Sequence, residues 1–166
     1  MVTRLLIAAL IFFNMKSHAQ TKSLTCHNDS ITMLFLLDLD RRIQEGIVNG
    51  DSLLLDTVIG TDFIFTHGFL KGGQEDKSKL LKNSTINPDF YFYRKVDSAI
   101  VELHGDVALV LGNLTIKRKP IKRNVETDNY CYKLAFIHLY AWRNNRWLFI
   151  SHRTAKNIIP SQPCRD

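Results

Sequence analysis

Three histidines stand in segments whose composition predicts β-strands: His67, His138 and His152. An imidazole titrates at about pH 6.5, so each can take up and release a proton near neutrality. The same set could in principle hold zinc, but the side chains come from separate strands without the short local spacing of metal-binding motifs. A serine hydrolase has no support, since no G-x-S-x-G elbow occurs. We expect proton chemistry or ligand binding, with no metal and no other cofactor.

Aromatic residues alternate along the segment that carries His138. Successive side chains of a strand point to opposite faces. One face therefore collects Tyr132, Leu134, Phe136, His138, Tyr140 and Trp142. Turned inward, this face would line a pocket for a flat, mostly apolar molecule, with Tyr91, Tyr93 and His152 as further pocket residues. Turned outward, it would suit a homodimer interface, where aromatic side chains are enriched. The third interpretation is plain hydrophobic core.

Helices are predicted first along the chain and strands afterwards. The predicted helices cover residues 29–49, a short stretch that Asp51 caps, that runs through 53–55 and that Gly60 closes, and residues 74–82. The predicted strands cover residues 61–67, 90–103, 107–117, 130–142 and 147–154. In the first helix Phe35, Leu39, Ile43 and Ile47 recur every four residues and predict its core side. This order indicates an α+β domain, with the helices packed on one face of an antiparallel sheet.

The first residues have the pattern of a secretory signal. An apolar run from Leu5 to Phe13 follows Arg4, and small residues at Ser17 and Ala19 precede the expected cleavage site. The run is about half the roughly 20 residues that cross a bilayer, so stable membrane insertion is not expected. The predicted division is a signal peptide at 1–19, a flexible segment at 20–28, one domain at 29–156 and a tail at 157–166. The protein is expected to be exported, periplasmic or secreted.

Charge and cysteines add two further expectations. The chain has a formal net charge of +6, and its basic cluster at 117–123 lies between two predicted strands. Without interleaved aromatic residues this cluster is expected to be a solvated loop, and no nucleic-acid partner is predicted. Cys26 and Cys164 stand near the ends of the mature chain and could form a disulfide. Cys131 is predicted to be a small buried apolar residue.

Five segments carry a resemblance to a known family. They are residues 49–51, 53–55, 62–68, 104–112 and 140–148, which read Asn-Gly-Asp, Leu-Leu-Leu, DFIFTHG, HGDVALVLG and YAWRNNRWL. Their order and spacing resemble the nuclear transport factor 2-like superfamily, and in particular its SnoaL-like branch, known as domain of unknown function 4440. The resemblance covers residues 30–155. It implies a cone-shaped curved sheet with about three helices on its concave face, a cystatin-like roll.

The resemblance also implies positions for catalytic groups. In the ketosteroid isomerases of this superfamily, a carboxylate on the first strand is the base, and His67 falls at its position. Ile43 falls where that family has a hydrogen-bond donor on the helix, and His138 falls near the donor on a later strand. Ile43 cannot donate a hydrogen bond, which argues against steroid-type isomerisation. The aromatic face of residues 132–142, set in the fold that the resemblance implies, makes a pocket for a small, largely apolar molecule the leading expectation. An isomerase, dehydratase or cyclase that uses His67 with His138 is the alternative, and a dimerisation module is a third.

Overall fold

One sheet and three helices build the described part of the chain. The computed structural model describes residues 29–66, 73–86, 90–119 and 131–158. Its helices are α1 (Asp29–Asn49), α2 (Ser52–Val58) and α3 (Lys77–Ile86). Its strands are β1 (Ile59–Thr66), β2 (Gln74–Asp76), β3 (Tyr91–His104), β4 (Val107–Arg118), β5 (Cys131–Arg143) and β6 (Arg146–Ile158). The predicted α+β class, a curved sheet packed with three helices, is confirmed.

The strand order is β2-β1-β6-β5-β4-β3. Strands β3 to β6 are consecutive antiparallel neighbours, as the sequence predicts. Strand β1 instead pairs parallel with β6, so the sheet is mixed rather than wholly antiparallel. A parallel pair needs a long connection, and β2, α3 and three further strands all lie between these two in the chain. The pairing brings the first and last strands side by side.

Tight turns join the long strands where the sequence predicts them. Asn144 and Asn145 connect β5 to β6 with φ angles of 52° and 59°, and Gly105 connects β3 to β4 with a φ of 64°. Two-residue hairpins need positive φ because that geometry matches the twist of the flanking strands. Asparagine and glycine tolerate it best. These turns set the register of the sheet.

The core face of α1 differs from the predicted one. Phe35 is 48% exposed, whereas its neighbour Leu36 is fully buried. Leu36 lies about three full helical turns before Ile47, but Phe35 lies a further third of a turn around the helix. The same core face contains two polar side chains, Asp40 and Gln44, each 1% exposed. These two residues lie one turn apart and need partners inside the protein.

The third helix begins later than predicted. A helix was expected over 74–82, but Gln74–Asp76 form β2 and pair antiparallel with β1. The side chain of Asp76 accepts a hydrogen bond of 2.8 Å from the Lys79 amide, which caps the first turn of α3. A strand of three residues is too short to show the two-residue periodicity of a longer strand.

Cys131 differs from its predicted state. It is half-buried rather than buried, and it is disulfide-bonded. Its partner lies outside the described residues, as do both members of the predicted Cys26–Cys164 pair. The prediction of a simple apolar packing role for Cys131 is wrong.

Several other predictions also fall outside the described residues. They concern the signal peptide, the segment 20–28, His67, residues 120–123 of the basic cluster and residues 159–166 of the tail. Lys117 and Arg118, predicted to lie in a solvated loop, instead belong to β4, and residues 157 and 158 of the predicted tail belong to β6. Within the described ranges, no helix is both long enough and apolar enough to cross a membrane.

Candidate functional site

A buried carboxylate of α1 contacts two side chains of β5. Asp40 Oδ1 lies 2.5 Å from His138 Nδ1 and accepts a hydrogen bond of 2.7 Å from the Tyr140 hydroxyl. Both partners are fully buried. They lie two residues apart in a strand and so share a face, which is why both reach the same oxygen. An ionised carboxylate only accepts hydrogen bonds, so with Asp40 ionised the hydrogen resides on His138 Nδ1.

The hydrogen bonds continue from β5 to β6. His138 Nε2 lies 2.7 Å from His152 Nδ1, and the two residues are direct partners in the sheet. A neutral His138 with hydrogen on Nδ1 has an acceptor at Nε2, so His152 donates from Nδ1. His152 Nε2 then faces Thr154 Oγ1 at 3.4 Å. We refer to Asp40, His138 and His152 as the Asp-His-His chain.

Apolar rings enclose this chain. The imidazole of His138 stacks on Phe136 and that of His152 stacks on Phe65, each pair with ring centroids 4.0 Å apart. Asp40 Oδ2 has no hydrogen-bond partner among the described residues. Burial, and next the charge of Asp40, raise the pKa of Tyr140 well above its ordinary value, because loss of its proton would bury a second anion. Tyr140 therefore remains a neutral donor.

A cavity of about 310 Å³ lies between α1, α3 and the sheet. Its apolar lining consists of Ile47, Phe65, Leu80, Phe90 and Tyr91. Its polar lining consists of Glu75, Asn83, Ser84, Arg94 and Arg118. Phe65 both lines this cavity and stacks on His152. The Phe65 ring therefore contacts both the Asp-His-His chain and the cavity.

Some of the predicted pocket residues lie at this cavity. Tyr91 lines it directly. Tyr132 lies behind the lining, where its hydroxyl accepts a hydrogen bond of 3.1 Å from Arg118 Nη2. His152 is not among the described residues that line it, but its ring stacks on Phe65, which is.

Other predicted pocket residues lie elsewhere. Phe136 and Tyr140 are packed in the hydrophobic core, which Trp142 adjoins. Tyr93 is not among the described residues that line the cavity, and its hydroxyl lies 4.0 Å from the sulfur of Cys131. The aromatic face of β5 thus contributes to the core, and the aromatic side chains of the cavity come from β1, from β3 and from Phe90, which directly precedes β3.

The two histidines predicted to be catalytic have different outcomes. His138 is the centre of the Asp-His-His chain. His67 lies outside the described residues, directly after the last residue of β1. The roles of both remain predictions.

Sequence reasoning missed Asp40, Gln44 and Arg94. The Arg94 side chain is 8% exposed, and its Nε donates a hydrogen bond of 2.9 Å to Gln44 Oε1. One signal was available for the two helix residues. Asp40 and Gln44 follow Leu39 and Ile43 on the core face of α1, and polar residues within an apolar stripe require buried partners.

Metal binding finds no support in the geometry. Within the part of the chain that the structure describes, no three His, Cys, Asp or Glu side chains are arranged to hold a metal ion.

The mixed sheet, its helices and the cavity between them define an α+β roll. No protein-family model matches the sequence, and no curated protein matches it. Solved structures do match, at low sequence identity. A nuclear transport factor 2-like protein from Cytophaga hutchinsonii aligns with a TM-score of 0.61 and 14% identity, over 76% of this chain and 95% of that one. The chain has the nuclear transport factor 2-like fold.

Two further structures agree with this assignment of the fold. A candidate calcium/calmodulin-dependent kinase II association domain from Exiguobacterium sibiricum aligns with a TM-score of 0.64 and 22% identity, over 81% of this chain and 98% of that one. A candidate dehydratase of the same fold family from Streptomyces avermitilis aligns with a TM-score of 0.58 and 12% identity, over 76% and 96%. At such identities the likeness concerns the fold alone. The SnoaL-like branch remains a prediction.

The buried contacts of Asp40 predict a large effect on stability. Asp40→Ala leaves the donors of His138 and Tyr140 without their acceptor, and we expect the free energy of unfolding to fall by about 3 kcal/mol. Urea unfolding of the purified protein measures this. Asp38→Ala, the same substitution on the exposed side of α1, is the matched control and should remain close to the wild type. Equal stability of the two variants would contradict the assigned contacts.

The raised pKa of Tyr140 predicts a loss of stability at high pH. Unfolded tyrosine loses its proton at about pH 10, whereas the folded protein keeps it, so the free energy of unfolding falls as pH rises above about 10. Tyr140→Phe lacks this proton, and its stability should fall less steeply there. Unfolding curves of both proteins from neutral to alkaline pH test this. Below about pH 9 their difference should be constant, and parallel curves above pH 10 would refute the assignment.

Proposed function

We propose that this domain binds a small, largely apolar molecule in the cavity between α1, α3 and the sheet. The observation that carries the proposal is a space of about 310 Å³ with three aromatic rings in its lining. Ligand pockets have volumes of roughly 300 to 1,000 Å³ and are mostly apolar with a few polar groups. The cavity thus meets the lower end of that range and suits a compact ligand.

The packing around α1 supports a cavity at this position. Near the middle of α1, Leu36, Leu39 and Ile43 are buried in the hydrophobic core, together with side chains of β4 and β5. Ile47, one turn further along, also lines the cavity. The helix therefore borders a filled core over most of its length and the open space near its end.

An acid/base enzyme is the second candidate function. The observation that favours it is the Asp-His-His chain, in which hydrogen bonds join Asp40 to His152 through His138. Such a chain fixes the tautomers of both imidazoles and offers a place for one proton. Phe65 separates it from the cavity, so catalysis requires a group on the cavity side, and His67 is the residue predicted for that role. A structural neighbour named as a candidate dehydratase adds to this proposal.

Export and dimerisation remain part of the proposal. The signal-like residues 1–19 support export, and so does the disulfide at Cys131, because such bonds persist in oxidising compartments. The aromatic face of β5 is packed in the core, so the proposed homodimer surface is the opposite face of the sheet, away from α1. There Leu109 pairs with Leu139 and Leu111 with Ile137, and all four side chains are partly exposed.

Blocking the cavity should abolish binding. Asn83 lines the cavity from α3 with an exposed side chain, so Asn83→Trp can fill the space without displacing the core. We expect the neutral dye prodan to bind the wild type with a rise in fluorescence, and Asn83→Trp to weaken binding by about tenfold or more. Lys82→Trp, at the adjacent exposed position outside the cavity lining, is the control. Equal binding by both variants would place the dye elsewhere and contradict the proposal.

The enzyme candidate predicts proton exchange. Carbonyl compounds that bind the cavity are kept in heavy water, and hydrogens next to the carbonyl are followed by nuclear magnetic resonance. An enzyme should exchange them faster than buffer does, and His138→Gln should reduce that rate by about a hundredfold. His104→Gln, on the exposed β3–β4 hairpin, should exchange them like the wild type. Exchange at the buffer rate for every bound compound would eliminate this candidate.

A further inference from the structure

The cavity contains one arginine that is held in place by α1. Arg94 Nε donates to Gln44 Oε1 at 2.9 Å, and its guanidinium lies 5.1 Å from the ring centroid of Tyr91. Arg94 is only 8% exposed, yet it borders the open space of the cavity. Its orientation is therefore determined before any ligand arrives.

A second arginine enters the cavity from β4. Arg118 lies directly opposite Tyr91 in the β3–β4 pairing. Its guanidinium carbon lies 4.8 Å from the ring centroid of Phe90, and its Nη2 donates to the Tyr132 hydroxyl. Its Nε is buried and has no hydrogen-bond partner among the described residues. A buried donor without an acceptor is unfavourable, so this nitrogen of a cavity-lining residue has an unmet requirement.

Within the described part of the chain, the contacts of Arg94 and Arg118 are to neutral groups rather than to carboxylates. Among the described residues, neither guanidinium forms an ion pair. Glu75 also lines the cavity, but its carboxylate lies 3.6 Å from Lys79 Nζ and 3.4 Å from Asn83 Nδ2. The lining thus has two cations against one anion that has its own cationic partner. Buried charges are normally paired, which leaves a place for a negative group.

We propose that the ligand is a small organic carboxylate, with its carboxylate at Arg94 and Arg118 and a flat apolar body against Phe65 and Phe90. This inference rests on the proposed function, because it assigns a charge to the ligand of the same cavity. Guanidinium groups present forked donors that match the two oxygens of a carboxylate. Aromatic rings supply the contact area for the remainder of the molecule.

The test compares acids with their amides, which share shape but not charge. Benzoate, cinnamate and naphthoate are each titrated against the full chain by calorimetry, beside benzamide, cinnamamide and naphthamide. We expect at least one acid to bind, and to bind about tenfold more tightly than its own amide.

Three variants locate the preference. Arg118→Gln should bring the affinities for each acid and its own amide to within about twofold of each other. Gln44→Glu places a carboxylate beside Arg94 and should lower the affinity for acids only. Arg143→Gln is the control, since that arginine pairs with Asp62 and is not part of the cavity lining. Should Arg118→Gln fail to fold, Arg118→Lys keeps the charge without the fork and should lose part of the preference.

Each result has a distinct consequence. A preference for acids that Arg118→Gln abolishes and Arg143→Gln retains supports the inference. Equal binding of each acid and its amide overturns the inference and leaves the proposed binding function intact. A preference that survives in Arg118→Gln and in Gln44→Glu also overturns it. If neither acids nor amides bind, the proposed function fails together with the inference.

Discussion

The contact between Asp40 and the two β5 side chains is the constraint on which the rest of the structure depends. A carboxylate within an apolar helix face can be buried only where hydrogen-bond donors meet it, and a helix that slid or rotated would leave this carboxylate unpaired. Its pairing with His138 and Tyr140 therefore sets both the rotation and the position of α1 on the sheet. The next polar residue on the same face, Gln44, then falls opposite Arg94.

The order of elements and the class of fold could be predicted because they follow from local patterns. The long strands of β3 to β6 alternate, and their turns contain glycine and asparagine at the positions that need positive φ. The parallel pairing of β1 with β6 could not be predicted in the same way, since no local signal distinguishes a parallel neighbour from an antiparallel one. Phe35 was misplaced for a geometric reason. Four-residue steps depart from the 3.6-residue turn, and over three turns the error moves a side chain off the core face.

The candidate site was only partly predictable, because its members meet across long separations. His138 was identified by its residue type, but its partner Asp40 lies 98 residues earlier in the chain. An acidic residue in a helix is ordinarily assigned to the wet side, so the position of Asp40 within the apolar stripe of α1 was the only sequence signal that it faces inward. The aromatic alternation of β5 was a true strand signal, yet it could not distinguish core from cavity. Whether a face is filled depends on the helix that packs against it.

The buried carboxylate of Asp40 and the two cavity arginines differ in whether they border open space, and that difference separates structure from binding. Asp40 Oδ1 meets two donors within the protein, Oδ2 meets none among the described residues, and the imidazoles beyond them are stacked against aromatic rings. Arg94 and Arg118 are partnered by neutral groups and rings and border open space. A buried polar network of this kind stabilises one arrangement of the core. Cations that face a cavity with neutral partners instead favour an outside anion, since only that anion supplies the missing charge.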